Sequence, residues 1–119
     1  MTPAALVDGF FEQHSIADPA ERAGVLANVI TDTAEFHGLQ VRLIGREQIQ
    51  AGPVGANHLV RTSRVQQRDQ WIRWDWEYRN PDGVPERAPD DSVYGGIGIG
   101  RIAEDGRLDL IVPFLGNRP

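Results

Sequence analysis

Arg73 and Asp75, two positions apart, are the pair in this 119-residue sequence whose types and spacing could do chemistry. On an extended strand they lie about 6.6 Å apart along the chain and point to the same face. A guanidinium at that distance can hold a carboxylate in one orientation. In a dry pocket the pair could donate a proton to a developing alkoxide or polarise a carbonyl. Asp75 would be the acid, Arg73 its orienter and oxyanion partner, and Tyr94 a further hydroxyl donor. The guanidinium lowers the carboxyl pKa and burial raises it, so Asp75 acts as an acid near neutral pH only where desolvation wins. The same two residues also suit an ordinary ion pair that staples a strand.

Composition narrows the chemistry further. The chain has no cysteine, which removes disulfides and thiolate nucleophiles, and all 12 of its cationic side chains are arginine. Without lysine there is no Schiff base and no P-loop amine. His14, His37 and His58 lack metal-ligand spacing, so neither a metal nor a cofactor is expected. A net charge of −5 argues against broad phosphate neutralisation, hence against a nucleic-acid partner. No stretch approaches the ~20 apolar residues of a membrane span, and Met1-Thr2-Pro3-Ala4-Ala5 does not open a signal peptide. These features read as a cytoplasmic protein with one domain over residues 1–119.

The elements that must position the pair follow from periodicity. Ala4 to Gln13 places Leu6 and Phe10 on one stripe, with Val7, Phe11 and His14 beside it, which predicts a helix. Asp18-Pro19-Ala20-Glu21 is a helix start: a capping carboxylate, proline at the first helical position and glutamate three residues after the cap. Val25, Leu26, Val29 and Ile30 supply its buried face. Ala34 to His37 reads as a short strand. Gly45 to Ile49 begins a third, short helix, because Gly52, Pro53 and Gly55 follow closely. Gln70 to Arg79 alternates Ile72, Trp74, Trp76 and Tyr78 against Trp71, Arg73, Asp75, Glu77 and Arg79, a period of two. Asn80 to Gly83 is a turn, Val84 to Asp91 an acidic loop, and Ser92 to Ala103 a strand. After a tight turn at Glu104-Asp105-Gly106, Arg107 to Leu115 forms the last strand. Helices first and an antiparallel meander afterwards predict an α+β fold with helices on one face of a curved sheet. Gly98-x-Gly100-x-x-Ala103 matches a loose dinucleotide fingerprint, yet no helix follows it and the required acidic residue has no place.

Several of these residues together resemble the SnoaL-like group of the nuclear transport factor 2-like superfamily. They are the aspartate between the first two helices, Gly45-Arg46-Glu47 with Ile49 opening the third, and Arg73-Trp74-Asp75-Trp76 ahead of Pro81-Asp82-Gly83. Asp105-Gly106-Arg107-Leu108 with Phe114-Leu115 completes the pattern, which covers nearly the whole chain. The resemblance implies three N-terminal helices packed on a strongly curved, mixed or antiparallel sheet, forming a cone with a blind pocket. Relatives include ketosteroid isomerase, limonene-epoxide hydrolase, scytalone dehydratase and polyketide cyclases, together with non-catalytic modules, so fold alone leaves function open. By spacing, the polar groups of ketosteroid isomerase fall on Phe10, Gly38 and Gly98, which excludes that chemistry. The arginine and aspartate of the epoxide hydrolase fall on Arg73 and Asp75, whereas its remaining polar groups fall on Phe36, Gly38 and Pro113.

The same resemblance turns Gly98 inward, so Gly96, Gly98 and Gly100 would deepen a roomy apolar pocket bordered by Phe10, Phe36, Trp71, Tyr94 and Phe114. Glycines also let a sheet bend sharply. If Phe36 and Gly38 face the pocket, His37 faces away from it. Trp74, Trp76 and Tyr78, with Ile97 and Ile99, would then form an apolar convex face, best buried in a homodimer. The expected function is a cofactor-independent protein that binds a hydrophobic small molecule and, if catalytic, works by acid/base chemistry of an isomerase, cyclase, dehydratase or epoxide hydrolase type. The alternative is a non-catalytic ligand-binding or dimerisation module of the same fold.

Overall fold

A computed structural model describes residues 1–52 and 58–119, and of His58 the backbone alone. Helix α1 spans Pro3–Glu12, with the Thr2 side chain accepting the Ala5 N–H at 3.1 Å as N-cap. A short 3-10 turn, Gln13–Ser15, follows it. Helix α2 spans Pro19–Val29, and Asp18 caps it by accepting the Glu21 N–H at 3.0 Å. Strand β1 (Ile30–His37) leads to the short β2 (Arg42–Ile44), and α3 (Arg46–Gln50) follows. Pro53 and Gly55, expected to distort this third helix, lie outside the described residues.

Three strands pair with a fourth, the tryptophan-rich segment. The four are β3 (His58–Arg61), β4 (Gln66–Arg68), β5 (Trp71–Arg79) and β6 (Gly95–Ile102). Strand β7 (Leu108–Leu115) runs antiparallel to β6 and parallel to β1. The sheet order is β2-β1-β7-β6-β5-β3, with β4 also on β5, so it is mixed and open at both ends. The strong curl expected of a cone is not present. The β6–β7 turn contains Gly106 at φ +86°, a conformation that suits a residue without Cβ.

The core lies between the helices and one face of the sheet. Leu6, Phe10 and Phe11 of α1, and Leu26 and Val29 of α2, pack onto Phe36, Ile72, Trp74, Trp76 and Ile111. Trp74 and Trp76 are 1% and 0% exposed. Strand β5 therefore buries its uniformly apolar alternate set. Ile72, Trp74 and Trp76 go under the helices because burying Arg73, Asp75 and Glu77 there would strand charges in an apolar layer.

This phase corrects the expectation that Trp74, Trp76 and Tyr78 form an outward convex face. Trp74 pairs with Gly98, Ile72 with Gly100 and Trp76 with Gly96. A Cβ on Gly98 would lie 2.3 Å from Trp74 Cε2. The glycines do face inward, but the space left by Gly98 and Gly100 is taken by Trp74 and Ile72, and a Cβ on Gly96 would meet the Phe114 carbonyl. The Trp74 ring in turn meets Phe11 at 6.0 Å in a T-shaped contact.

Candidate functional site

The sheet divides the residues expected to share one pocket. Phe10 and Phe36 lie on the helix side, 1% and 9% exposed, with Gly98 on the same side. Trp71 and Phe114 are on the outer side, 41% and 52% exposed. Asp75 pairs with Ile97, and Ile97 with Phe114, so Arg73, Asp75 and Phe114 share that outer face. Tyr94 precedes β6 and is half-buried, its carbonyl accepting the Tyr78 N–H at 2.9 Å.

Arg73 and Asp75 do not bond to each other in the arrangement observed. Arg73 is exposed and donates to Gln66 Oε1 at 3.1 Å. Asp75 is held instead by Arg118, whose Nη2 lies 2.9 Å from Asp75 Oδ1 and also donates to the Gly96 carbonyl at 3.2 Å. The C-terminal segment positions this arginine through paired bonds between Val93 and Arg118. Asp75 is thus a neutralised anchor for the chain end.

Around that pair the outer face is a mixed surface. Ile97 and Ile99 of β6, with Leu110, Val112 and Phe114 of β7, form its apolar centre, and Trp71 flanks it with the Arg101 guanidinium 5.7 Å from its ring centroid. On β1, Glu35 accepts from His37 Nε2 at 3.0 Å and from Arg42 at 3.5 Å. The His37 bond, first among several causes, holds the Glu35 carboxyl below its ordinary pKa. His37 lies opposite in phase to Phe36, as strand alternation requires.

The helix side carries polar groups that sequence reasoning missed. Arg61 of β3, opposite Trp76, forms a two-pronged pair with Asp8 of α1, both N···O distances being 2.9 Å. This is an arginine–carboxylate pair at the seam between helix and sheet. Its partners are 53 positions apart, and no local pattern links them. At the end of α1 the His14 ring stands 5.6 Å from Phe10 and 6.5 Å from Phe36. Beside it, Gln13 is fully buried and Arg22 of α2 is 5% exposed. Arg22 Nε donates to Gln13 Oε1 at 2.6 Å and Nη1 to the Gly52 carbonyl at 3.2 Å. Gln13 Nε2, Arg22 Nη2 and Trp74 Nε1 are buried donors that find no acceptor among the described residues. Arg22 sits four positions before Leu26, on the buried face of α2, and that spacing was the available signal.

An open acidic groove of about 900 Å³ is lined by residues including Asp69, Glu104, Asp105 and Asp109, the last of them paired with Arg101. No cluster among the described residues has a metal-holding arrangement. Among the described residues no helix is long and apolar enough to cross a membrane.

Three helices over one face of a mixed sheet in this strand order define the NTF2-like, SnoaL-like fold. At the level of sequence no family model and no curated protein matches the chain. Among solved structures, a candidate isomerase of the SnoaL-like family from Agrobacterium tumefaciens C58 superposes with a TM-score of 0.74 at 19% identity, over 93% of this chain and 94% of that one. The Δ5-3-ketosteroid isomerase from a Mycobacterium species gives 0.60 at 15% identity, over 94% of this chain and 91% of the isomerase. SalBIII, an epoxide hydrolase/cyclase-like enzyme of pyran ring formation in the polyether salinomycin, gives 0.60 at 11% identity, over 93% and 88%. At these identities the likeness is one of fold.

Proposed function

We propose that the chain holds a hydrophobic small molecule at the C-terminal end of α1 and that two copies associate through the outer face of the sheet. The observation that carries the first part is the pairing of an aromatic cluster, Phe10, His14 and Phe36, with a buried donor that lacks an acceptor among the described residues, Gln13 Nε2. Leaving such a donor unmet costs about 1–3 kcal/mol, which a ligand oxygen would offset. The fold is shared with a ketosteroid isomerase and an epoxide hydrolase/cyclase-like enzyme, and this supports a ring-bearing, oxygenated ligand. The test is a panel of epoxides and enones, with mass spectrometry of the native protein. Binding of at least one oxygenated ring compound is expected, and a panel without a binder refutes the reading.

A second reading is a cofactor-independent acid/base enzyme of isomerase, cyclase, dehydratase or epoxide hydrolase type. The Asp8–Arg61 pair on the helix side favours it, since an arginine-oriented carboxylate there shares a layer with the aromatic cluster. Asp75 and Arg73 are separated from that layer by the sheet, so an acid role for Asp75 would serve only a ligand on the outer face. Turnover of a bound panel member that Asp8→Asn abolishes, with affinity kept within a few-fold, is the outcome that selects this reading.

Association of two copies rests on the size and chemistry of the outer face. The four long strands, β1, β5, β6 and β7, at about 4.8 Å spacing and roughly 27 Å in length present on the order of 500 Å² in projection. That is the larger part of the roughly 800 Å² per partner of a stable complex. Arg73, whose bond is to a neutral glutamine, stands on β5, and Glu35 stands across the apolar centre on β1. A twofold axis lying along the strands between β6 and β7 brings each arginine over the partner's glutamate region. Sedimentation of Ile99→Arg as a monomer beside a dimeric parent is expected, and an unchanged dimer contradicts the interface.

A further inference from the structure

We propose that Arg22, with Gln13, is the anion-recognising end of an interior site whose ligand is an apolar monocarboxylate. The inference rests on the ligand-binding reading above and adds the ligand's charge and class. Arg22 is the arginine that the fold buries most among the described residues, at 5% exposure. Four more exposed arginines on the same framework have carboxylate partners: Arg61 has Asp8, Arg79 has Glu77, Arg101 has Asp109 and Arg107 has Asp105. Arg22 has none among the described residues. It is tied only to neutral oxygens, Gln13 Oε1 at 2.6 Å and the Gly52 carbonyl at 3.2 Å.

A buried guanidinium without a counter-ion is costly, because desolvation of the charge is not repaid by an opposite one. Burial accordingly pulls its pKa down. The chain has 17 carboxylate side chains and a net charge of −5, so a counter-ion was available and none is placed there. Two bonds fix the plane of the guanidinium and leave Nη2 unmet among the described residues, while the amide that accepts from Nε leaves its own Nε2 likewise unmet. One positive charge and two donors on one hydrogen-bonded unit match the two oxygens of a single carboxylate. A dianion would need more positive charge than the unit offers. Phe10, three positions before Gln13 on the same helical side, and the His14 ring supply the apolar neighbourhood for the ligand body.

The test compares naphthoate with methyl naphthoate on the full chain by titration calorimetry. Parent protein is expected to bind the acid roughly 10- to 100-fold more tightly than the ester, the value of a charge-assisted hydrogen bond. Gln13→Glu, nearly isosteric, places a carboxylate beside Arg22 and so occupies the site from within. Its acid-to-ester preference is expected to fall to about one while circular dichroism reports an intact fold. Equal binding of acid and ester by the parent overturns the proposal and leaves the donors to a buried water. An unchanged preference in Gln13→Glu overturns it as well. If the ester binds and the acid gains nothing, the ligand-binding reading survives alone. If neither naphthyl compound nor any panel member binds, both fail together.

Discussion

Gly98→Ala is the smallest change that tests the packing of β5 against β6. The added Cβ would lie 2.3 Å from Trp74 Cε2, 2.4 Å from Cζ2 and 2.7 Å from Nε1. Carbon atoms settle at about 3.5–4.0 Å, so something must move by more than 1 Å. The indole has no room to give. Phe11 stands against it at 6.0 Å, and a Cβ on Gly100 would already meet Trp74 Cζ3 at 3.2 Å. Overpacking costs about 1–3 kcal/mol, and two rigid bodies put this site at the upper end. The melting temperature is then expected to fall on the order of 10 °C. Trp74→Leu removes the obstacle at a cost of about 3 kcal/mol of its own. The double variant should lose less than the sum of the two by about 2 kcal/mol, read from urea unfolding followed by circular dichroism. Trp71→Ala, on the other face, should combine with Gly98→Ala additively. A near-neutral Gly98→Ala, or strict additivity with Trp74→Leu, would refute the packing.

Other outcomes follow from single contacts. Asp18→Ala removes the cap of α2 and is expected to cost about 1 kcal/mol in the same unfolding assay. Burial raises the Tyr78 phenol above its ordinary value of 10.0. The stability it contributes is therefore complete below pH 10.0 and is lost as pH climbs through the raised folded value. Tyr78→Phe should flatten that alkaline decline, and an identical decline in parent and variant contradicts burial of the hydroxyl.

Much of the fold was legible because it is written locally. Asp18-Pro19 announced α2, and the expected strand over 70–79 is observed as Trp71–Arg79. The third helix appeared within a residue of its expected start. The parallel pairing of β1 with β7 carries no local signal, since it joins strands from opposite ends of the chain. The phase of β5 was legible and was read the wrong way. One alternate set is wholly apolar and the other contains Arg73, Asp75 and Glu77, and hydrophobic burial chooses the first. Family spacing had chosen the second, because it aligned Arg73 and Asp75 with a catalytic pair. Gly98 belonged to the same error: a glycine facing inward leaves room, and a neighbouring tryptophan is a more immediate occupant than a ligand. Arg22 was hidden by habit, since an arginine in a helix is usually taken as a solvent-facing residue, although its spacing from Leu26 and Val29 put it on the buried side.

Acrylamide quenching of Trp71→Phe, in solution dilute enough to hold the chain as a monomer, tests the division of the sheet into a buried and an outward face most directly. Trp74 and Trp76 then supply all the indole emission, and at 1% and 0% exposure they should emit at short wavelength and resist the quencher, whereas the parent retains a quenchable fraction from Trp71. Emission that stays red-shifted and readily quenched after Trp71 is removed would mean that these two indoles face water, and would contradict the account.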